Sequence, residues 1–245
     1  MEILKIYDII EICKYLNRSE RVAFIQQCEE TGGELLLTEH LDTTITELSS
    51  DQIEWILRYN KYVIDKLSIC GDVNFGVILS AIRECEFLED IVLIGSDVTG
   101  EELKCLINTV KNLKKLDITA SYRLEKDQLI SAINLGTNIT NLILYDVPAV
   151  DDDVLIACSH IQHLDVGGTE ITDEGLIIFA NNNQNLKSIG LEETRRITGE
   201  AVDNIAEKFE QRQQAVIFKI DRDLSGWVKN KDQHKIVSFE INWQD

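Results

Sequence analysis

The sequence predicts an α/β solenoid, in which short units of one strand and one helix stack side by side. Three observations support this fold class: an apolar phrase recurs along most of the chain, apolar and polar residues alternate at the end of each copy, and helical apolar spacing follows. One such unit has two apolar faces that only neighbouring units can cover. We therefore expect the stability of the fold to come from the array.

The recurring phrase is an apolar residue, two variable residues, an apolar residue, one variable residue and an apolar residue. Successive copies begin 22 to 27 residues apart, a period typical of leucine-rich repeats. The copies are Ile64/Leu67/Ile69, Leu88/Ile91/Leu93, Leu113/Leu116/Ile118, Ile139/Leu142/Leu144, Ile161/Leu164/Val166, Leu186/Ile189/Leu191 and a degraded Gln213/Val216/Phe218. The period predicts a leucine-rich-repeat solenoid with a curved parallel sheet on its concave side and helices on its convex side.

Each copy is predicted to begin with a strand and to continue into a helix. Leu116 and Ile118 alternate with polar residues, as in a strand with one buried face. Thr99 followed by Glu102 predicts a capped helix start. Asp151–Asp153 place acids where the positive end of a helix dipole favours them. These aspartates lack the alternating ligands and central glycine of a calcium loop, so we interpret them as a helix start.

Composition limits the classes of partner and location. The chain of 245 residues carries 24 basic and 43 acidic residues, a formal net charge of -19 that would repel nucleic acid and anionic membranes. No segment approaches the ~18 consecutive apolar residues of a membrane span, and the first residues resemble no targeting signal. We expect a soluble chain in the cytoplasm or nucleus, with its six cysteines reduced.

The sequence carries no motif for catalysis or for binding a cofactor. A glycine-rich phosphate loop, a zinc-protease helix and a nucleophile elbow are all missing, and the chain has four histidines. Cys158, His160 and His163 are close in sequence, but they are predicted to lie at a helix end, in a turn and on the sheet face. Because these side chains would diverge and a fourth ligand is missing, we expect no metal site, no cofactor and no enzymatic activity.

The N-terminal segment departs from the repeat. Residues 6 to 28 give two short stripes of helical apolar spacing, separated by a break at 17–19, and so predict a helical hairpin. This hairpin resembles an F-box: Leu4 matches the leading leucine, 11–16 match the first helix and 22–28 look like the second. The chain departs from the F-box pattern where Lys5 replaces the proline, where Asp8 stands at a usually apolar position and where 29–31 replace the basic and aromatic ending.

A second resemblance lies in the repeats. The residues from Ile171 to Leu176 read Ile-Thr-Asp-Glu-Gly-Leu, a phrase that resembles the cysteine-containing leucine-rich repeat, and Cys85 and Cys158 fall just before the next copy. An F-box-like start followed by such repeats is similar to the F-box and leucine-rich-repeat proteins, the substrate receptors of cullin-RING (SCF-type) ubiquitin ligases. The resemblance implies that the hairpin binds the ligase adaptor and that the repeats bind a substrate protein. The implied adaptor-binding residues are Leu4, Ile9, Ile12, Leu16 and Val22.

The predicted concave face is the candidate site for the target protein. Four apolar residues occupy positions that the fold is expected to leave open to water, as at a protein-binding surface. The predicted target-binding residues are Val92, Ile94, Asp117, Ile143, Tyr145, His163 and Asp165. Tyr145 is the expected anchor. In the alternative interpretation, the apolar side chains simply pack on one another.

The sequence divides into four predicted parts. Residues 1–30 form the F-box-like hairpin, 31–62 an irregular first repeat or linker with a strand at 35–37, 63–221 the repeat array and 222–245 a C-terminal cap. The cap contains a strand-like alternation around Phe239.

Three functions stay open at this stage. The first is the ligase receptor, a chain that we expect to be monomeric outside its complex. The second is a scaffold without adaptor binding, whose hairpin only caps the solenoid. The third is a regulator such as a GTPase activator, which would use Arg195 or Arg196 of a strand-to-helix loop.

Overall fold

Strands and helices alternate along the described part of the chain. The computed structural model describes residues 16, 20, 40–42, 48–71, 73–228 and 236–242. The strands are β1 (His40–Asp42), β2 (Lys66–Cys70), β3 (Asp90–Ile94), β4 (Lys115–Asp117), β5 (Asn141–Ile143), β6 (His163–Asp165), β7 (Ser188–Gly190), β8 (Ile217–Asp221) and β9 (Ser238–Asn242). The helices are α1 (Ser50–Asn60), α2 (Phe75–Ile82), α3 (Gly100–Thr109), α4 (Lys126–Leu135), α5 (Asp152–Ala157), α6 (Asp173–Asn182), α7 (Gly199–Gln211) and α8 (Arg222–Trp227).

Most of the predicted N-terminal hairpin lies outside the described residues. Of the implied adaptor-binding residues, Leu16 is described and half-buried. The others, which lie outside, are Leu4, Ile9, Ile12 and Val22. The strand predicted at 35–37 also lies outside, and the described strand β1 comes slightly later in the chain.

The nine described strands form one parallel sheet in sequence order. The pairing aligns the middle apolar residue of the first six copies across the sheet. In the seventh copy Phe218 takes this place instead of the predicted Val216, so the alignment predicted for Gln213/Val216/Phe218 is wrong by two residues. Leu41 and Phe239 extend the row beyond the predicted copies. This row runs Leu41, Leu67, Ile91, Leu116, Leu142, Leu164, Ile189, Phe218 and Phe239. A parallel sheet in which each strand returns through one helix is the leucine-rich-repeat solenoid that the sequence predicts, and this prediction is confirmed.

The core lies between the sheet and the helices. Both apolar positions of a strand unit are buried, as Leu116 and Ile118 illustrate, and α7 contributes the fully buried Phe209. At the C-terminal end of the sheet, the Phe239 ring stacks on the Phe218 ring with centroids 5.4 Å apart. Thus β9 extends the same core by one more rung.

Two of the cysteines belong to this core. The Sγ of Cys85 lies 3.4 Å from the carbonyl oxygen of Ala81, and the Sγ of Cys158 lies 3.3 Å from that of Val154. Burial raises the pKa of each thiol to about 12, with Glu84 also raising that of Cys85. Both thiols are therefore protonated at neutral pH, the unreactive form of a buried cysteine.

The predicted helix starts are present in the structure. Thr99 and Glu102 form a capping box, with Glu102 N 3.3 Å from Thr99 Oγ1 and Thr99 N 2.9 Å from Glu102 Oε2. Asp151 caps α5, since its Oδ1 accepts hydrogen bonds from the amides of Asp153 and Val154. The interpretation of the aspartate run as a helix start is confirmed.

Two carboxylates at helix starts also form hydrogen bonds with the residue that caps the following helix. Asp152 accepts hydrogen bonds from Thr172 N at 2.7 Å and from Thr172 Oγ1 at 2.6 Å. Asp173 does the same for Thr198, with both distances 2.8 Å. Thr172 and Thr198 are the N-caps of α6 and α7, so each aspartate fixes the start of the following helix.

The length and composition of the helices bear on membrane insertion. Within the described parts of the chain, none of them combines the length and the apolar character needed to cross a bilayer.

Candidate functional site

The helices cover one side of the sheet and leave the other side, which we call the strand face, to carry the remaining side chains. Three rows cross this face from strand to strand. The amino row is Lys66, Asp90, Lys115, Asn141, His163 and Ser188. The middle row is Ser68, Val92, Asp117, Ile143, Asp165, Gly190, Lys219 and Glu240. The carboxyl row is Cys70, Ile94, Thr119, Tyr145, Gly167 and Glu192. All seven predicted target-binding residues lie in these rows.

The apolar members of the strand face differ in exposure. Ile94 is 36% exposed, and Ile143 and Tyr145 are half-buried. Val92 is only 8% exposed, so the prediction that it lies open to water is wrong. In the middle row its strand neighbours are Ser68 and Asp117, and side chains on both sides at the inter-strand spacing restrict access to a short valine.

The Tyr145 ring packs over Gly167, which follows the next strand, β6. A Cβ added at Gly167 would lie 2.6 Å from Cδ2 of the Tyr145 ring, so the absence of a side chain at Gly167 makes room for the ring. Burial and a hydrogen bond with Glu193 raise the pKa of the Tyr145 hydroxyl to about 12. The ring therefore packs against its neighbours on the strand face, as in the alternative interpretation. Because Tyr145 is only half-buried, part of the ring is still accessible to a partner.

Asp117 and Asp165 hold equivalent turns at the ends of two strands. Oδ1 of Asp117 accepts hydrogen bonds from Thr119 N at 3.0 Å and Thr119 Oγ1 at 2.7 Å, and Oδ1 of Asp165 accepts one from Gly167 N at 3.0 Å. Burial raises the pKa of Asp165, and the negative charge of Asp117 adds to this effect. The Asp165 carboxylate is thus partly desolvated while it remains beside an open surface.

His163 lies next to Asp165 in a positive local field. Its Nδ1 is 2.8 Å from Oγ of Ser188. The pKa of the imidazole lies below its ordinary value, first because of burial and then because of Lys187 and Lys219. The imidazole is therefore neutral at pH 7, with a single N–H to donate.

A hollow of about 290 Å³ opens on the strand face between β4 and β8. Its lining residues are Lys115, Asn141, Ile143, His163, Leu164, Asp165, Ser188, Gly190 and Lys219. Three of the predicted target-binding residues, Ile143, His163 and Asp165, meet in this hollow. Lys219 was not predicted because its copy of the phrase is degraded, although the spacing from Val216 and Phe218 would have placed it on this face.

The structure also places the residues that were considered for a metal site and for an arginine finger. Among those residues, no group of three His, Cys, Asp or Glu side chains is placed to hold a metal ion. Cys158 is buried at the end of α5, whereas His163 lies on the strand face. Arg195 and Arg196 are exposed in the loop after β7, and Arg196 Nη1 lies 3.8 Å from Glu170 Oε2.

Comparison with known proteins supports the fold. No protein-family model matches the chain. A chain from the crystal structure of the Rad7 and Elc1 complex in yeast matches with a TM-score of 0.50 and 13% identity, covering 78% of this chain and 64% of that chain. Internalin C2 from Listeria monocytogenes str. 4b F2365 matches with a TM-score of 0.48 and 14% identity, covering 83% and 80%.

The first of these similarities bears on fold and not on activity. At 13% identity it agrees with the strand-helix stack described above. The chain spans 64% of the length of the yeast chain that it matches. Fold and open strand face together define a leucine-rich-repeat protein.

Proposed function

We propose that this chain is the substrate-recognition subunit of a cullin-RING (SCF-type) ubiquitin ligase. In this proposal, the N-terminal hairpin binds the ligase adaptor and the strand face binds the protein to be ubiquitinated. The chain itself performs no chemistry. The choice of this ligase class rests on the sequence, because the hairpin and repeats resemble those of the F-box and leucine-rich-repeat proteins.

The observation that carries the proposal is the open strand face. The helices cover only the opposite side of the sheet, and Ile94, Ile143 and Tyr145 are left partly accessible beside charged residues. Apolar side chains with a polar surround are typical of protein-binding sites. Because parallel pairing already orders the backbone of β4, β5 and β6, little backbone conformational entropy is lost when a partner binds there.

A solved complex adds limited support. The yeast Rad7 structure, which includes a chain of similar fold, is a complex of Rad7 with Elc1. A chain of this fold type thus occurs in an assembly with a second protein, as the proposal requires of this chain.

The adaptor interaction is tested by co-purification of the full chain with an F-box adaptor. We expect the native chain to capture the adaptor and Leu16→Asp to lose at least ten-fold in capture, because a carboxylate would be placed in an apolar contact. Leu135→Asp is the matched control, since Leu135 is 47% exposed at the end of α4. Capture that Leu16→Asp leaves unchanged, or no capture by a folded native chain, contradicts the receptor function.

The second candidate is a scaffold without adaptor binding. Three departures from the F-box pattern favour it: Lys5 in place of the proline, Asp8 at a usually apolar position and 29–31 in place of the basic and aromatic ending. A folded chain that binds partners through the strand face, but not the adaptor, would support the scaffold.

A further inference from the structure

The hollow between β4 and β8 has a charge balance opposite to that of the chain. The chain has a formal net charge of -19. The hollow is lined by two lysines, Lys115 and Lys219, and by one carboxylate, Asp165. With His163 neutral at pH 7, the lining carries one positive charge more than negative charge.

The donors around the hollow point toward a shared space. Asn141, His163 and Ser188 occupy consecutive positions in the amino row, so their polar side chains follow one another across β5, β6 and β7. Lys219 stands opposite them in the middle row, where its neighbour on β7 is Gly190. Gly190 is buried, because the Asp165 carboxyl occupies the place where a side chain at this position would lie.

The lysines retain unused hydrogen-bonding capacity. Lys115 Nζ lies 3.4 Å from Asp90 Oδ2, a contact that uses one of its three N–H groups. Lys219 is exposed and forms no ion pair with another residue of the described part of the chain. Two acidic residues flank Lys219: Glu240 is its partner on β9, and the Asp165 carboxylate leans over Gly190, where an added Cβ would lie 2.6 Å from Asp165 Oδ1.

We propose that this hollow binds the carboxylate of an aspartate or glutamate side chain of the target protein. Lys219 is the principal contact, and Lys115 and Asn141 supply further donors. The inference rests on the proposed function, because it assigns a chemistry to the same target-binding face. It also reverses the expectation from net charge, which would favour a basic partner.

The balance of charges favours a carboxylate over a phosphoryl group. A phosphoryl group carries up to two negative charges at pH 7. The hollow offers one net positive charge, and the fixed Asp165 carboxylate would repel a dianion more strongly than a monoanion. The rest of this strongly acidic chain repels an acidic segment of a target protein. A single hollow that accepts a carboxylate would therefore determine how that segment is positioned on the strand face.

The test uses a phage-displayed library of random short linear peptides, selected on the purified full chain. We expect the selected peptides to be enriched in Asp and Glu, and their affinity to fall about five- to ten-fold on Lys219→Gln, as for loss of one charge-assisted hydrogen bond. Asp165→Asn should raise the affinity, because it removes the competing carboxylate. Lys111→Gln, in an exposed turn away from the hollow, is the matched control and should leave affinity unchanged.

Ile143→Ser separates failure of this inference from failure of the proposed function. Peptides that lose binding on Ile143→Ser, but are enriched in Lys and Arg or are unaffected by Lys219→Gln, overturn the carboxylate inference and leave strand-face binding in place. A selection that yields no peptide, or only peptides that Ile143→Ser leaves unaffected, overturns both. Replacing Glu by Gln in a selected peptide should remove its sensitivity to Lys219→Gln, which assigns the contact to that pair.

Discussion

At the scale of single residues, the strand face contains a charged group, the Asp165 carboxylate, whose burial lowers the stability of the fold. Asp165 retains a carboxylate in a partly desolvated place, although its Oδ1 needs only to accept one hydrogen bond from Gly167 N. An asparagine could accept the same bond without a charge. In the proposed binding, this charge lowers the affinity for a carboxylate but disfavours a dianion more strongly, so its role is in selectivity and not in affinity.

Asp165→Asn is therefore expected to stabilise the fold at pH 7. The folded pKa of Asp165 is raised above its unfolded value of 3.8, so the folded state is penalised at every pH above the folded pKa. As pH falls through the folded pKa toward 3.8, protonation removes this penalty, and the stability difference between variant and native chain should vanish. Melting temperatures at pH 7 and pH 3 measure it. The control is Glu86→Gln, at an exposed turn position; an Asp165→Asn gain that persists at pH 3 would contradict the electrostatic cause.

At the scale of elements, the helix starts explain why the phrase Ile-Thr-Asp-Glu-Gly-Leu has its residue types. Thr172 caps its own helix, and Asp173 reaches forward to the cap of the next helix. Gly175 makes room for the Asp152 carboxyl from the helix before, because a Cβ at Gly175 would overlap that group. The phrase is thus a set of connections between neighbouring repeats as well as a helix start.

The effect of Gly175→Ala on stability is expected to change sign when Asp152 is replaced. In the native chain, the new methyl group displaces Asp152 and breaks its hydrogen bonds to Thr172, at a cost of about 1–3 kcal/mol that outweighs the better helix propensity of alanine. In an Asp152→Ala background the carboxyl is gone, so Gly175→Ala should stabilise by about 0.5–1 kcal/mol. Urea unfolding of the four variants measures the coupling; additive effects would exclude this connection.

Sequence reasoning predicts the parts of this molecule that repeat. The buried apolar row, the helix caps and the parallel order of strands depend on residue types that recur at fixed spacing, and they were predicted. Exposure within the strand face depends on which side chains flank a residue across strands, and Val92 was misjudged for this reason. Strand β1 was missed because its residues, His40–Asp42, contain one apolar side chain, although they repeat the His-Leu-Asp of β6.

The hollow could be predicted only in part. Ile143, His163 and Asp165 follow from the repeat, since each flanks a buried strand position. The contribution of Lys219 comes from a degraded copy, and the placement of the Asp165 carboxyl beside it depends on Gly190 having no side chain. A missing side chain leaves no mark in an apolar pattern, so the hollow emerges only when the strands are placed together.

At the scale of the whole molecule, the linear stack implies that stability is transmitted between adjacent repeats. The parallel sheet runs in strict sequence order, so β5 pairs only with β4 and β6. In such arrays the free energy of unfolding is approximately a sum of repeat and nearest-neighbour contributions. A destabilising substitution in one repeat should therefore lower the stability of that repeat and of the two repeats next to it more than that of the others.

Leu142→Ala provides this test, because Leu142 is buried in the central strand β5. Removing its branched side chain should lower the free energy of unfolding by about 2–5 kcal/mol through lost burial and a cavity. Hydrogen exchange followed by mass spectrometry should show the largest loss of amide protection in β4, β5 and β6, with smaller losses in β2 and β8. Leu135→Ala, at a 47% exposed position, should cost well under 1 kcal/mol. Equal loss of protection in all strands would instead mean that the described repeats unfold as one cooperative unit, because coupling between repeats would then exceed the stability of any single one.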